Sequence, residues 1–237
     1  MNLSVSYYSA IGGRKKNEDT VTILENGNTV IGIAADGLGG HSGGDIASKI
    51  AARVINAKIT NYPISVYHLR EAITAANEKI LRNTQCPGMK TTVAVLWLDR
   101  NDALAANIGD TRIYQFRNFQ ILYQSKDHTV AQMSVMIGEL APEELRRSKE
   151  RHRLTRALGV QEDVKADVRC LDVQPGDAFL LCSDGFWERI GEDMMISALQ
   201  TSQTASEWLK SMRNFVERSE EPPQDNHSAI AIIVGCS

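Results

Sequence analysis

Segments of two textures follow one another in blocks along this chain, and that order constrains its fold more than any other feature. Leu3, Val5 and Tyr7 alternate with small polar residues, the period of a half-buried strand. "TVTILE" and "TVIGIAAD" flank Asn26-Gly27-Asn28, a turn sequence that predicts a hairpin. Apolar residues then fall at helical spacing over 45–59 (Ile46, Ile50, Val54, Ile55) and over 66–81 (Leu69, Ile73, Ala76, Ile80). After Pro87-Gly88 come "TTVAVLWLD", "ALAANIGD", "RIYQF" and "FQILYQ", short strands expected to form an antiparallel meander. "VRCLDV" and "AFLLCSD" resume strand on either side of the turn "QPGD". Helical patterns near 192–200 and 204–218 precede the closing apolar strand "HSAIAIIVGC". Strands in blocks and helices in pairs argue for a layered α+β fold over strict βαβ alternation. Residues 127–157 are polar and Arg-rich and read as a surface excursion. No repeat or Pro-rich linker divides the 237 residues, so a single domain, 1–237, is expected.

Composition removes several classes of function. The balance of 26 Lys+Arg against 29 Asp+Glu gives net −3, without the basic footprint of a nucleic-acid binder. No apolar run approaches the roughly 20 residues of a membrane helix, so no membrane insertion is expected. The first residues lack the charged-then-apolar order of a signal peptide. Cys86, Cys170, Cys182 and Cys236 show no paired spacing and read as reduced thiols, which places the chain in the cytoplasm.

The acids carry the chemistry. Asp36 ends "VIGIAA", Asp110 ends "ALAANIG" and Asp184 ends "AFLLCS", each beside a glycine (Gly37, Gly109, Gly185). Any one of them alone reads first as a turn-former or helix cap, and it is the recurrence of the same context at three acids that argues otherwise. A carboxylate at the mouth of a buried strand, however, loses hydration unless something positive meets it. Glu18 and Asp19 precede the strand "TVTILE", with Arg14 four residues before Glu18, and Asp225 precedes the last strand. If these ends meet, the carboxylates need cations, and an all-oxygen set favours Mg²⁺ or Mn²⁺ over zinc. Such a cluster suits a two-metal hydrolase acting on phosphate, with Arg14 offering a bidentate fork to the phosphate oxygens.

The pieces "GGRKKNED", "AADGLGGHSGGDIAS", "MKTTVAVLWLD", "ANIGDTRIYQ", "LTRALG", "GDAFLLCSDGFWE" and "DNHSAIAIIV" resemble, in order, the metal-dependent Ser/Thr protein phosphatases of the PPM or type 2C family, in a compact bacterial form. The resemblance implies a four-layer α-β-β-α sandwich, two central antiparallel sheets flanked by helices. It implies that Asp36 bridges two core Mn²⁺ or Mg²⁺ ions, with the Gly37 carbonyl as a further ligand. Asp184 and Asp225 would hold one ion from the other side, and Glu18 and Asp19 would act through metal-bound waters. Asp110 with Asp184 would form a third ion site, and Arg14 would bind phosphate. It also implies a substrate-facing flap at about 128–153, phosphoserine and phosphothreonine proteins as substrates, and a cognate Ser/Thr kinase whose work is reversed. Members of this size occur beside such kinases, including in type VI secretion loci; a monomer is expected. Some members carry a proton-donating His where this chain has Leu38, so a metal-bound water takes that role here. His41 lies three residues further on, and His128 and His152 on or beside the flap read as surface or substrate-facing.

Three other readings are weighed against this one. A cysteine-nucleophile phosphatase needs an Arg six residues after its Cys, and the residue six after Cys182 is Glu188; Cys182 reads as a core thiol. A nucleotide-binding loop at 39–44 needs a Lys where Asp45 stands. A non-catalytic binding module of the same fold would have lost metal-binding acids, and Asp36, Asp184 and Asp225 are present.

Overall fold

The central strands are buried on both faces, which is why they read as nearly continuous apolar runs. The computed structural model describes residues 2–38, 43–218 and 225–235. One sheet has the order β1 (Leu3–Ala10), β12 (His227–Val234), β11 (Ala178–Cys182), β8 (Arg112–Arg117), β9 (Gln120–Gln124). The other runs β10 (Asp167–Asp172), β7 (Asp102–Ile108), β6 (Val93–Asp99), β3 (Thr29–Ala35), β2 (Thr20–Asn26). Every pairing is antiparallel. A short ribbon of β4 (Gly37–Leu38) and β5 (Lys90–Thr91) extends from the second sheet's end.

Side chains of period two divide these strands between layers. In β6, Ala94, Leu96 and Leu98 face the other sheet and meet Ile113, Phe179, Leu181, Ile230 and Ile232. Val93, Val95 and Trp97 of β6 face outward onto α1 (Gly44–Ile59) and α2 (Val66–Leu81). In β12, Ala229 and Ala231 turn to the opposite helical layer, where Trp208 and Met212 of α6 (Ala205–Arg218) and Met195 of α5 (Glu192–Gln200) pack. The expected four-layer α-β-β-α sandwich is borne out. The two 16-residue helices answer the helical spacing read over 45–59 and 66–81.

The meander is not. "ALAANIGD" and "RIYQF" are consecutive, but β6 and β7 pair in one sheet while β8 and β9 pair in the other. The chain crosses between sheets at Gly109-Asp110-Thr111, where Gly109 has φ +95. The period-two pattern is the same in either sheet, so spacing alone does not show the switch. "VRCLDV" and "AFLLCSD" likewise part company, β10 joining one sheet and β11 the other.

Register brings the acids to one end of the sandwich. The start of β2 opposes the end of β3 (Thr20↔Ala35), and the start of β6 opposes the end of β7 (Val93↔Ile108). In the other sheet the end of β11 opposes the starts of β12 and β8 (Cys182↔Ala229, Cys182↔Arg112). Asp19, Asp36, Asp110, Asp184 and Asp225 therefore all leave or enter strands at the same edge. The interface between the sheets is the platform for that edge. Phe179→Ala, at a fully buried position there, is expected to cost about 3–5 kcal/mol, read as a lowered urea midpoint with an unchanged slope.

Candidate active site

Close backbone approach fixes the floor of the site. A Cβ on Gly37 would stand 2.2 Å from the Gly44 carbonyl oxygen, and one on Gly185 would stand 2.1 Å from that of Asn226. Neither position tolerates a side chain, and each lies next to a strand-ending acid, Asp36 or Asp184. The Asp36 carbonyl accepts from the Thr92 amide (2.8 Å) and the Thr91 hydroxyl (2.7 Å), which locks the end of β3 against the start of β6. Gly37 donates its amide to the Glu18 carbonyl (3.2 Å), tying this strand end to the acidic pair before β2.

The far wall comes from both ends of the chain. Asn226 accepts from the Glu18 amide (2.8 Å) and donates to the carbonyls of Ile11 (2.8 Å) and Lys16 (3.0 Å). Ser183 donates to Asp19 Oδ2 (2.9 Å) and accepts from the Ser228 amide (3.0 Å). Arg14 closes a fork on Asp225, Nε to Oδ1 at 2.9 Å and Nη2 to Oδ2 at 2.5 Å, while remaining about half exposed. Asn226 and Ser183 carry no catalytic signature in sequence; only their adjacency to Asp225 and Asp184 hints at a part in the site.

A cleft of about 600 Å³ opens over this floor, lined by Arg14, Leu38, Asp110, Asp184, Gly185 and Asp225, by Glu188 and Arg189 just beyond Asp184 in the chain, and by Arg151, His152 and Leu154. Asp19, buried, and Asp36, half-buried, lie outside that lining. Burial first, and then the neighbouring acids Asp19, Asp184, Asp110 and Asp225, hold the Asp36 carboxyl well above the usual carboxylate range. Burial and then Asp184 do the same to Asp110. Burial, opposed by Ser228 and Ser183, pushes Asp19 up to about 7. Glu18 Oε1 lies beside Gly44 at the start of α1, outside the cleft lining. Asp19 Oδ1 and Asp184 Oδ1 are buried with no hydrogen-bond partner. Orphaned carboxylate oxygens among acids that repel one another, with oxygen donors throughout, fit hard divalent cations.

The histidines divide. His128 is buried rather than surface-facing: it accepts from the Gly109 amide through Nδ1 (3.1 Å), its Nε2 lies 3.3 Å from Asp167, and burial holds its pKa low. It braces the sheet crossing beside Asp110. His152 lines the cleft, with Nδ1 3.8 Å from Asp184 Oδ2. His41 and Cys236 lie outside the described residues. Cys182 is fully buried, and burial pushes its thiol pKa up, away from nucleophilic use.

Acids with raised pKa values hold protons more tightly folded than unfolded. Without cations the fold therefore loses stability as pH climbs from about 4 through the Asp19 value of about 7. Cations bind the deprotonated forms, so the rise in Tm on adding Mn²⁺ to chelator-stripped protein is expected to be larger at about pH 8 than at about pH 5. Equal rises, followed by differential scanning fluorimetry, would contradict this electrostatic account.

The family model described as protein phosphatase 2C matches residues 8–228. Serine/threonine phosphatase stp of Listeria monocytogenes is 32% identical over 206 residues, covering 82% of this chain and 81% of that protein. The crystal structure of the Mycobacterium tuberculosis serine/threonine phosphatase PstP/Ppp superposes with a TM-score of 0.88 at 26% identity, over 99% of both chains. The catalytic domain of serine threonine protein phosphatase PstP, solved in complex with 2 manganese ions, superposes at 0.84 and 26% identity, over 99% of this chain and 100% of that one. A matched model spanning nearly the whole chain, on a sandwich of the same architecture, leaves one assignment: the chain belongs to the protein phosphatase 2C family.

Proposed function

We propose that this chain is a metal-dependent protein phosphatase that hydrolyses phosphoserine and phosphothreonine. The observation that carries the reading is the convergence of acids from separate strand ends, two of them with buried oxygens that lack any partner. Asp36, Asp184 and Asp225 would hold two divalent ions with the Gly37 carbonyl, and Asp19 and Glu18 would act through coordinated water. Asp110 and Asp184 would take a third ion. Bound there, the ions supply Lewis acidity toward the phosphoryl oxygens and lower the pKa of the attacking water.

The chain's own groups do the rest. Ser183 fixes the rotamer of Asp19, and the Thr91 and Thr92 hydrogen bonds fix the backbone of Asp36. Arg14, forked on Asp225 and half exposed, presents its remaining N–H groups to the cleft where a phosphate would lie. Leu38 lines the wall and has no proton to give, so the departing seryl or threonyl oxygen draws its proton from cleft water. We further infer that residues 128–153 act as a flap over the cleft, since Arg151 and His152 form its outer wall.

The same reading places a single catalytic domain in the reducing cytoplasm, acting as a monomer against a cognate Ser/Thr kinase. The unpaired state of Cys86, Cys170 and Cys182 supports that compartment. No helix among the described residues is long and apolar enough to cross a membrane.

Hydrolysis of p-nitrophenyl phosphate and of a phosphothreonine peptide is expected only with Mn²⁺ or Mg²⁺, and excess EDTA should abolish it. Asp36→Asn should lower kcat at least about 10³-fold, and Arg14→Ala should lower kcat/KM about 10–100-fold, mostly through KM. A folded protein inactive with every divalent ion would instead identify a non-catalytic binding module.

A further inference from the structure

We propose that a basic groove beside the cleft, between α2 and the start of β10, docks an acidic segment of the protein substrate while its phosphorylated residue occupies the cleft. This rests on the reading that the cleft takes phosphoproteins. Two adjoining cavities of about 520 and 360 Å³ make the groove, and Arg156, Val164 and Lys165 line both. Arg70, Ile73 and Thr74 of α2 and Asp167 of β10 line the larger; Thr155, Val160, Gln161 and Asp163 line the smaller. A buried amide holds this shape. Asn77 of α2 donates to the carbonyls of Gln161 (2.8 Å) and Glu162 (3.2 Å) and accepts from the Gly159 amide (2.8 Å). The loop 159–162 is thereby fixed on α2, so the groove is formed before a partner arrives.

Charge and position identify the occupant. Arg70, Arg156 and Lys165 are exposed, and neither Arg70 nor Lys165 forms an ion pair among the described residues. Arg156 donates through Nη1 to Asp167 Oδ1 (2.9 Å) and to the Lys165 carbonyl (3.5 Å), which leaves its Nε and Nη2 hydrogens for a ligand. Two acids stand in the lining. Asp167 is already taken by Arg156 and by His128 Nε2 at 3.3 Å, so Asp163 alone opposes Arg70 and Lys165. Ile73, Val160, Val164 and Ala166 give the same groove an apolar lining. A lone inorganic anion has no use for that apolar surface, whereas a peptide with spaced carboxylates uses both it and the cations. The wall is shared with the cleft: Leu154 lines the cleft, and the next two residues, Thr155 and Arg156, line the groove. This stretch is pinned where the Thr155 amide donates to the His128 carbonyl (2.8 Å) and where Leu158 pairs with Thr91. Asp167 opposes Asn107 at the end of β7, so the groove lies at the acid-bearing end of the sandwich. At roughly 3.3 Å per extended residue, acids about three to six positions from the phosphoresidue reach Arg156 and the cations beyond it.

Three substrates test the groove on the full chain with Mn²⁺: a phosphothreonine peptide flanked on both sides by glutamates, the same peptide with alanines in their place, and p-nitrophenyl phosphate. The wild type is expected to show the lower KM for the glutamate peptide. The double variant Arg70→Glu/Lys165→Glu, changed at exposed positions, should raise that KM about 10-fold, leaving kcat, the alanine peptide and p-nitrophenyl phosphate unaffected. Arg53→Glu/Lys58→Glu, which makes the same change of charge on the exposed face of α1, should leave all three alone. An equal loss in that control, or no preference for the glutamate peptide in the wild type, overturns the groove. A second measurement needs no turnover: fluorescence anisotropy of a labelled, unphosphorylated glutamate peptide on metal-stripped protein, with binding expected in the wild type and weakened in Arg70→Glu/Lys165→Glu. If both phosphopeptides are hydrolysed alike and the labelled peptide does not bind, only this inference fails. If the labelled peptide binds through Arg70 and Lys165 while no divalent ion supports hydrolysis, the phosphatase reading fails and the groove stands as an acidic-peptide site.

Discussion

The cost of burying carboxylates beside one another governs this molecule. Asp19, Asp36 and Asp110 are each driven toward the neutral acid by lost hydration and by mutual repulsion, Asp19 to about 7. A fold adopts such an arrangement only where rigid elements hold the groups together against that repulsion. Here the rigidity comes from the packed sheets, from glycines that let backbones touch, and from an amide and a hydroxyl, Asn226 and Ser183, that stitch loops to strand ends. Compensating positive charge is sparse in the floor itself. Arg14 forks on Asp225, and Arg112 is committed to Asp127 through two buried hydrogen bonds at 2.9 and 2.7 Å. The deficit is what divalent cations would fill.

The buried polar layer under the site is correspondingly elaborate. Arg112 lies 3.4 Å over the Trp187 ring, whose indole nitrogen donates to the Asp110 carbonyl at 2.9 Å. Tyr114 bridges Arg112 to Glu192, and Arg146 clasps Glu192 with both oxygens at 2.8 Å. This chain of paired charges leads from the sheet crossing at Asp110 to the 3₁₀ segment Pro142–Arg147, so the floor and the outer wall share one support. Each link is satisfied at both ends, the condition under which a buried polar network specifies a single geometry.

Much of this was legible in the residues alone. Helices α1 and α2 announce themselves by spacing, and the hairpin at Gly27-Asn28 by its turn chemistry. The acids stand out because a carboxylate ending an apolar strand next to glycine is physically anomalous, and the anomaly recurs at Asp36, Asp110 and Asp184. What stayed hidden was non-local. Nothing in "ANIGDTRIYQ" tells which sheet each half joins, because alternation looks alike on either side of the sandwich. The fork of Arg14 on Asp225 spans 211 positions, and the burial of His128 depends on Asp167 and Gly109 from other strands. Asn226 reads as a loop residue until its three backbone partners are seen.

The pairing of β1 with β12, and the hold of Asn226 on Ile11, Lys16 and Glu18, carry one more consequence. The loop bearing Arg14 and Glu18 follows β1, yet its anchor Asn226 and the carboxylate of Asp225, 211 positions beyond Arg14, immediately precede β12. A ribosome-bound chain that lacks β12 holds every other acid and still has no site. The cleft therefore closes all at once, when β12 pairs with β1, and a nascent chain that has not reached that strand has no finished cleft with which to act on the proteins around it.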